Sequence, residues 1–325
     1  MDRSIGRVIE SADSRPVVVL TGGTGFVGQH LQRRLLAENF SVRVLVRPDS
    51  ANTHRVDPRC DVVPVSLIDD TGLSQACADS TAIIYCAGSV RGTSLTDFHE
   101  ANVSGVERIS SAASAQPRRP AVLLISSLAA SRPELSWYAR SKHEGERVLA
   151  RYPEISWTIL RPPAVYGPGD REMLPVLRSI RRGLTPVVGP AAQRLSLLHV
   201  TDLASAIVRW FEHREACRGR TFAIDDGTPS GYDWTAISGA IARRATLRIQ
   251  VPAAVLHLAA VLNLSAARIL GYRPMLTPGK VRELCQPSWL CDNAPFSEIT
   301  GWSATIDLRR GAEQLFNQPR ERETF

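Results

Sequence analysis

Two residues one helical turn apart carry the most specific chemistry in this chain. Tyr138 and Lys142 stand in Tyr138-Ala139-Arg140-Ser141-Lys142, a spacing that puts phenol and ammonium on one helix face. An unperturbed tyrosine, with a pKa of about 10, is a poor base at neutral pH. A cation held beside it favours the phenolate and lowers that value, so the pair reads as an acid/base tyrosine with its activating lysine. Of 39 basic residues only two are lysine, Lys142 and Lys280. Upstream, Leu124-Ile125-Ser126-Ser127 ends an apolar run eleven residues before Tyr138. A serine at the carboxyl end of a strand can hydrogen-bond a substrate oxygen that Tyr138 protonates or deprotonates. Ser127 is the candidate and Ser126 the fallback. By itself the string also describes two exposed residues on an amphipathic helix; the strand end before it and the scarcity of lysine favour chemistry.

A second motif supplies the partner such a tyrosine needs. Val17–Leu20 runs into Thr21-Gly22-Gly23-Thr24-Gly25-Phe26-Val27-Gly28 and then into a helix. Gly22 permits a tight turn, Gly25 lets backbone approach a pyrophosphate, and Gly28 lets the helix pack close to the sheet. The amides opening the helix, at Phe26 and Val27, face the phosphates with a partial positive charge. An NAD site usually has an acidic residue at the end of the second strand. Here that strand ends Val46-Arg47-Pro48-Asp49. Arg47 suits a 2′-phosphate, so NADP is favoured, while Asp49 keeps NAD open. The alternative for Arg47 is a solvated strand end that stacks on adenine.

The elements that must position these residues alternate. Strands are expected at 17–20, 42–46, 61–65, 82–86, 121–125 and 157–160, and helices at 26–38, 98–115 and 137–150. Fully apolar strands alternating with helices imply a parallel sheet covered on both faces. Pro162, Pro163, Gly167, Pro168 and Gly169 read as a loop. A helix at 173–182, a strand at 195–200, a helix at 203–212 and a strand at 221–224 follow. The fold class is α/β, a doubly wound parallel sheet with a smaller C-terminal substrate domain. Residues 1–15 read as a flexible tail, 16–170 plus about 195–228 as the dinucleotide domain, and 171–194 with 229–325 as the substrate domain. In the last part Val251, Val255, Leu258, Leu262 and Ile269 follow helical spacing. The plain reading is a buried helix; the sharper ones are a wall of an apolar substrate pocket or a patch that sits on a membrane.

Composition narrows the function classes. At 325 residues, 44% hydrophobic and 22% charged, the chain can bury a large core. Its net charge of +7 is spread along the chain without interleaved aromatics, which speaks against nucleic acid as a partner. Six scattered cysteines without a CxxC pair, and seven histidines without HxxxH or HExxH, argue against disulfides and a metal site and for a cytoplasmic protein. The most apolar stretch, 251–270, is interrupted by His257, Asn263 and Arg268.

TGGTGFVG, the Ser126-Ser127 strand end, Tyr138-xxx-Lys142 and Leu160-Arg161-Pro162-Pro163-Ala164-Val165-Tyr166-Gly167-Pro168-Gly169 together resemble the extended short-chain dehydrogenase/reductase family, which includes the NAD-dependent epimerases and dehydratases. The likeness spans roughly residues 16 to 225. It implies a Rossmann domain in which Ser127 orients substrate, Tyr138 is the acid/base, and Lys142 lowers the tyrosine pKa and holds the nicotinamide ribose. Asn102 resembles the helix asparagine that supports the proton relay, and Ala87-Gly88 the short cofactor-lining turn, with Pro162 counted among the same lining. His199-Val200-Thr201-Asp202-Leu203 resembles the segment joining the two domains. A homodimer through the long helices is a further implication.

Departures from the family pattern shape the substrate expectation. The adenine-touching aspartate after the third strand is replaced by Ser66; Asp69 substitutes for it or the contact is absent. Nucleotide-sugar epimerases carry Asn where this chain has Ala164. The Arg-Pro-Pro-Ala-Val-Tyr-Gly loop looks more like the 3β-hydroxysteroid dehydrogenase and flavonoid reductase branch, which implies hydride transfer to or from an apolar, sterol- or isoprenoid-like alcohol or ketone. The alternative is a nucleotide-sugar epimerase or dehydratase with tightly bound NAD, in which Arg194 would meet a diphosphate. A non-catalytic dinucleotide-binding subunit is the reading from another class; the Ser127, Tyr138 and Lys142 set argues against it.

Overall fold

A computed structural model describes residues 15–317. The expectation of a tail over residues 1–15 therefore lies, save for Arg15, outside the described residues. The first apolar run, β1 (Val17–Thr21), turns through the glycine loop into α1 (Phe26–Ala37), which buries Leu31 and Leu35 on one face. Then come β2 (Ser41–Val46), β3 (Asp61–Pro64), α2 (Asp70–Cys77) and β4 (Ala82–Tyr85). The helical stretch that follows is α3 (Thr96–His99), one π-helical turn over Glu100–Ser104, and α4 (Gly105–Ser114). β5 (Ala121–Ile125) leads through a 3-10 turn at Leu128–Ser131 into α5 (Trp137–Leu149) and β6 (Trp157–Arg161).

The second half is more broken. It holds β7 (Ala164–Tyr166), α6 (Leu174–Arg181), β8 (Leu184–Val188), β9 (Arg194–Leu195) and β10 (Leu197–His199). Next are α7 (Val200–Glu212), β11 (Arg220–Ala223), α8 (Trp234–Ile241), β12 (Leu247–Val251) and α9 (Ala253–Leu270). The chain closes with α10 (Pro278–Leu284), β13 (Ser288–Trp289), α11 (Ala294–Thr300) and α12 (Leu308–Asn317).

Seven strands form one sheet in the order β11-β6-β5-β4-β1-β2-β3, and every neighbouring pair is parallel. The chain reverses direction across the sheet between β1 and β4, the switch point at whose carboxyl ends such sheets bind ligands. Two buried clusters cover the two faces, one including Leu31, Leu35, Leu203 and Trp210, the other Leu73, Ile109, Val148 and Leu149. A third gathers Tyr166, Leu177, Ile180, Ile237, Ile241 and Leu308 in the second half.

Several local expectations are corrected. The helix α2, seated by Asp69 as its N-cap, was not foreseen. The proline- and glycine-rich loop contains β7, which pairs with β10, and the single strand expected at 195–200 is β9 and β10. Phe296 and Trp302, from the segment assigned to the substrate domain, pack into the core under the sheet beside Phe222. The buried-helix reading of 251–270 is overturned. α9 buries only Ala260, Leu264 and Ala267, while Leu258 and Leu262 are each 61% exposed and Ile269 84%. The helix docks through one narrow stripe, two alanines and Leu264, and turns most of its large apolar residues outward.

Candidate active site

The site assembles at the carboxyl ends of β1, β4 and β5. Ser136 caps α5, its Oγ accepting from the Ala139 amide at 2.9 Å, which puts Tyr138 in the first turn of that helix. One turn on, buried Lys142 donates from Nζ to the Ile125 carbonyl at 2.7 Å. A further turn on, buried Glu146 takes both arms of Arg161, Nε at 2.9 Å and Nη2 at 2.5 Å, and accepts from Ser126. Ser126 is thereby committed to the helix, and the fallback falls away. Ser127 Oγ accepts from the Ala129 amide at 3.2 Å, and its hydroxyl is the serine hydroxyl that bears on the Tyr138 phenol. The Phe98 ring stands edge-on to Tyr138, 6.3 Å between centroids.

Electrostatics here corrects the expectation of an acidified tyrosine. Burial pushes the Tyr138 phenol up to about 12; the Ser127 hydroxyl offsets part of this and the Glu283 charge adds to it. Burial also draws Lys142 down to about 8, against the pull of Cys86 and Glu146. A low-dielectric site disfavours both charged forms, and the lysine donates to Ile125 instead of solvating a phenolate. The i, i+4 spacing sets the geometry; burial, which spacing does not report, sets the protonation.

Asn102 lies in the π-helical turn and is buried. Its Oδ1 accepts from the Ser89 amide at 3.0 Å, and its Nδ2 donates to the Ser89 carbonyl at 3.0 Å and to Ser141 Oγ at 2.9 Å. Its carbonyl lies where a Cβ on Gly145 would clash. These bonds tie the loop after β4 to α5, so the side chain positions the site.

The glycine loop fits a dinucleotide on its own geometry. Gly22 has φ +67, and a Cβ there would meet the Ala87 nitrogen at 2.7 Å. Thr21 Oγ1 accepts from the amides of Cys86 and Ala87, each at 3.1 Å, which fixes the Ala87-Gly88 turn beside the loop. A Cβ on Gly88 would lie 3.0 Å from Asn102 Oδ1 and 3.6 Å from Lys142 Nζ, so that surface admits only backbone. Exposed Gly25 opens α1 without a side-chain cap, leaving the first amides, at Phe26 and Val27, free for an anion. One role is corrected: Gly28 packs against the backbone of Gly22 and Gly23 within the loop, whereas Gly23, not singled out from sequence, packs on Val44 of β2.

The remaining candidates are less central. Arg47 is exposed at the end of β2 and makes no ion pair among the described residues. Asp69 accepts from the Gly72 amide at 2.9 Å through Oδ1 as the cap of α2, and is exposed. Buried Pro162 accepts from the Leu128 amide at 2.8 Å, joining the loops after β5 and β6. Ala164 is exposed at the start of β7. Arg194 does not stand free: its guanidinium lies 3.6 Å from Asp233, the cap of α8. Asp202 pins the C-terminal segment, accepting from the Thr305 and Ile306 amides at 3.1 and 2.8 Å. Thr21, Phe98 and Glu283 were missed in the sequence. Only Thr21, flanking the glycines, had a signal nearby; the other two are brought in by packing from distant elements.

A doubly wound parallel sheet with this loop and this tyrosine–lysine helix defines an NAD(P)-dependent dehydrogenase or reductase. The chain belongs to the NAD dependent epimerase/dehydratase family, which it matches over residues 18–225. It is 32% identical over 319 residues to the ceramide reductase of Caulobacter vibrioides (strain NA1000 / CB15N), covering 94% of this chain and 98% of that one. It is 24% identical to a sterol-4-alpha-carboxylate 3-dehydrogenase of Candida albicans over 92% of this chain and 96% of that one. In fold it is similar to the UDP-glucuronic acid 4-epimerase of Bacillus cereus solved with UDP-glucuronic acid and NAD, with a TM-score of 0.68 at 18% identity over 93% of this chain and 98% of that one.

Proposed function

We propose that the protein reduces a ketone, or oxidises the matching alcohol, on a long-chain lipid of the ceramide or sterol kind, with NADP preferred as cofactor. The observation that carries the chemistry is Tyr138 in the first turn of α5, one turn before buried Lys142, whose Nζ donates to the Ile125 carbonyl at the carboxyl end of β5, two residues before Ser127. The full-length likeness to a ceramide reductase supports the lipid class. Exposed Ala164 and the capture of Arg194 by Asp233 speak against a nucleotide-sugar diphosphate.

A dinucleotide held at the glycine loop would supply hydride for the carbonyl carbon. Tyr138, kept protonated by burial, donates its phenolic proton to the carbonyl oxygen. The Ser127 hydroxyl hydrogen-bonds the same oxygen and holds it against the phenol. Lys142 and the free amides of α1 would hold the ribose and phosphates, with Arg47 at the 2′-phosphate.

The test is NADPH consumption with ceramide- and sterol-type ketones, alongside native mass spectrometry of the purified chain. Turnover with NADPH above NADH, and protein free of stoichiometric nucleotide, is the expected result. Tightly held NAD together with turnover of a UDP-sugar overturns the reading in favour of the epimerase.

A further inference from the structure

We propose that α9 and the neighbouring strand β12 form a face that seats on an anionic lipid bilayer. An 18-residue helix that is apolar nearly all round belongs in a protein core or in contact with lipid. α9 is in neither place within this chain. Val255, Leu258, Leu262, Ile269 and Leu270 stand outward, and on β12, which leads into α9, Leu247 is 66% exposed. Only Ala260, Leu264 and Ala267 are buried.

Charge identifies the occupant. Between Asp233 and Glu283 the sequence has no carboxylate and seven basic residues. Arg243, Arg244 and Arg248 are exposed next to β12 and pair with nothing acidic among the described residues. Exposed Arg268 and Arg273 flank the other end of α9. An apolar surface rimmed by cations, on a segment that carries no carboxylate of its own, matches a bilayer carrying acidic headgroups. A protein partner or a second copy of this largely mixed-charge chain offers no such uniform complement. The helix lies flat on the bilayer and does not span it, because its Ala260, Leu264 and Ala267 face is already packed against the domain.

The face adjoins the site. Arg268 donates to the Thr93 carbonyl at 3.2 Å, and Arg273 lies 3.9 Å from Asp97. The next residue, Phe98, meets the Tyr138 ring. A lipid leaving the bilayer at α9 therefore enters beside the catalytic tyrosine. The proposal deepens the lipid-substrate reading and rests on it for its purpose, while vesicle binding is measured without any turnover.

The experiment is flotation of the full chain with vesicles of phosphatidylcholine, with and without phosphatidylglycerol. Wild type floats with the anionic vesicles, less with neutral ones, and less at high salt. The double variant L258D/L262D, altered only at exposed positions, loses at least about tenfold in partitioning with an unchanged circular dichroism spectrum. R243S/R244S/R248S loses about as much on anionic vesicles and little on neutral ones. No flotation of wild type, equal flotation of L258D/L262D, or self-association abolished by that variant without vesicle binding would each overturn the proposal. Turnover of a short detergent-soluble ketone separates the two readings. If L258D/L262D keeps that turnover and loses vesicle binding, both stand. If wild type floats but reduces no lipid ketone, only the substrate reading fails.

Discussion

The ammonium of Lys142 donates to the carbonyl oxygen of Ile125 at 2.7 Å, joining the catalytic helix to the carboxyl end of β5. Burial draws the lysine down to about 8 from its ordinary 10.5, against the opposing pull of Cys86 and Glu146. The pH consequence has a definite sign. Between about pH 8 and 10.5 the unfolded chain keeps a proton that the folded one has released, so folding stability from this group rises with pH across that window. Below it the charged, desolvated lysine costs stability. At about 1.4 kcal/mol per pKa unit, the stability of wild type minus that of K142M should rise by about 3 kcal/mol between pH 7 and 11. Urea unfolding at the two pH values measures it, and a difference that stays flat with pH would refute the assignment.

Tyr138 moves the other way. Its phenol, raised to about 12 by burial, stays protonated across the working range and suits a proton donor. Y138F should lower kcat/KM by about 10²- to 10⁴-fold, the usual contribution of a positioned acid. Dinucleotide affinity, read by fluorescence titration, should change by less than about twofold, since the phenol's role is proton transfer. S127A should act in the same direction and more weakly. Wild-type turnover in Y138F would remove the tyrosine from the chemistry.

Arg47 offers the sharpest test of cofactor choice. It is exposed at the end of β2 beside the glycine loop. R47D should replace a cation suited to a 2′-phosphate by a carboxylate suited to a ribose hydroxyl, moving the NADP-to-NAD ratio of kcat/KM by at least about tenfold toward NAD. The ratio, measured with one substrate, cancels any general loss of activity. An unmoved ratio would leave Arg47 as a solvated strand end.

Two glycines predict opposite outcomes for the same substitution. G22A places a Cβ 2.7 Å from the Ala87 nitrogen at φ +67, where neither backbone can yield, so it should abolish dinucleotide binding or lower Tm sharply. G239A sits within α8 with nothing near its Cβ and should stabilise the fold by up to about 1 kcal/mol. Calorimetry of the pair checks both signs.

Sequence by itself was enough for the sheet, the phosphate loop and the tyrosine–lysine helix. Each is encoded locally: apolar strands buried on both faces read as unbroken runs, glycines are required where backbone must pass close, and a four-residue spacing is one helical turn. The order of the strands, the π-turn that brings Asn102 to Ser141, and the approach of Phe98 and Glu283 to Tyr138 come from elements distant in the chain. Tertiary structure alone also decided the protonation of the site, because desolvation depends on everything packed around a group and not on its neighbours in sequence. It likewise decided which stripe of α9 is buried. Two helical stripes satisfy the same periodicity, and only docking by Ala260, Leu264 and Ala267 sends Leu258, Leu262 and Ile269 outward.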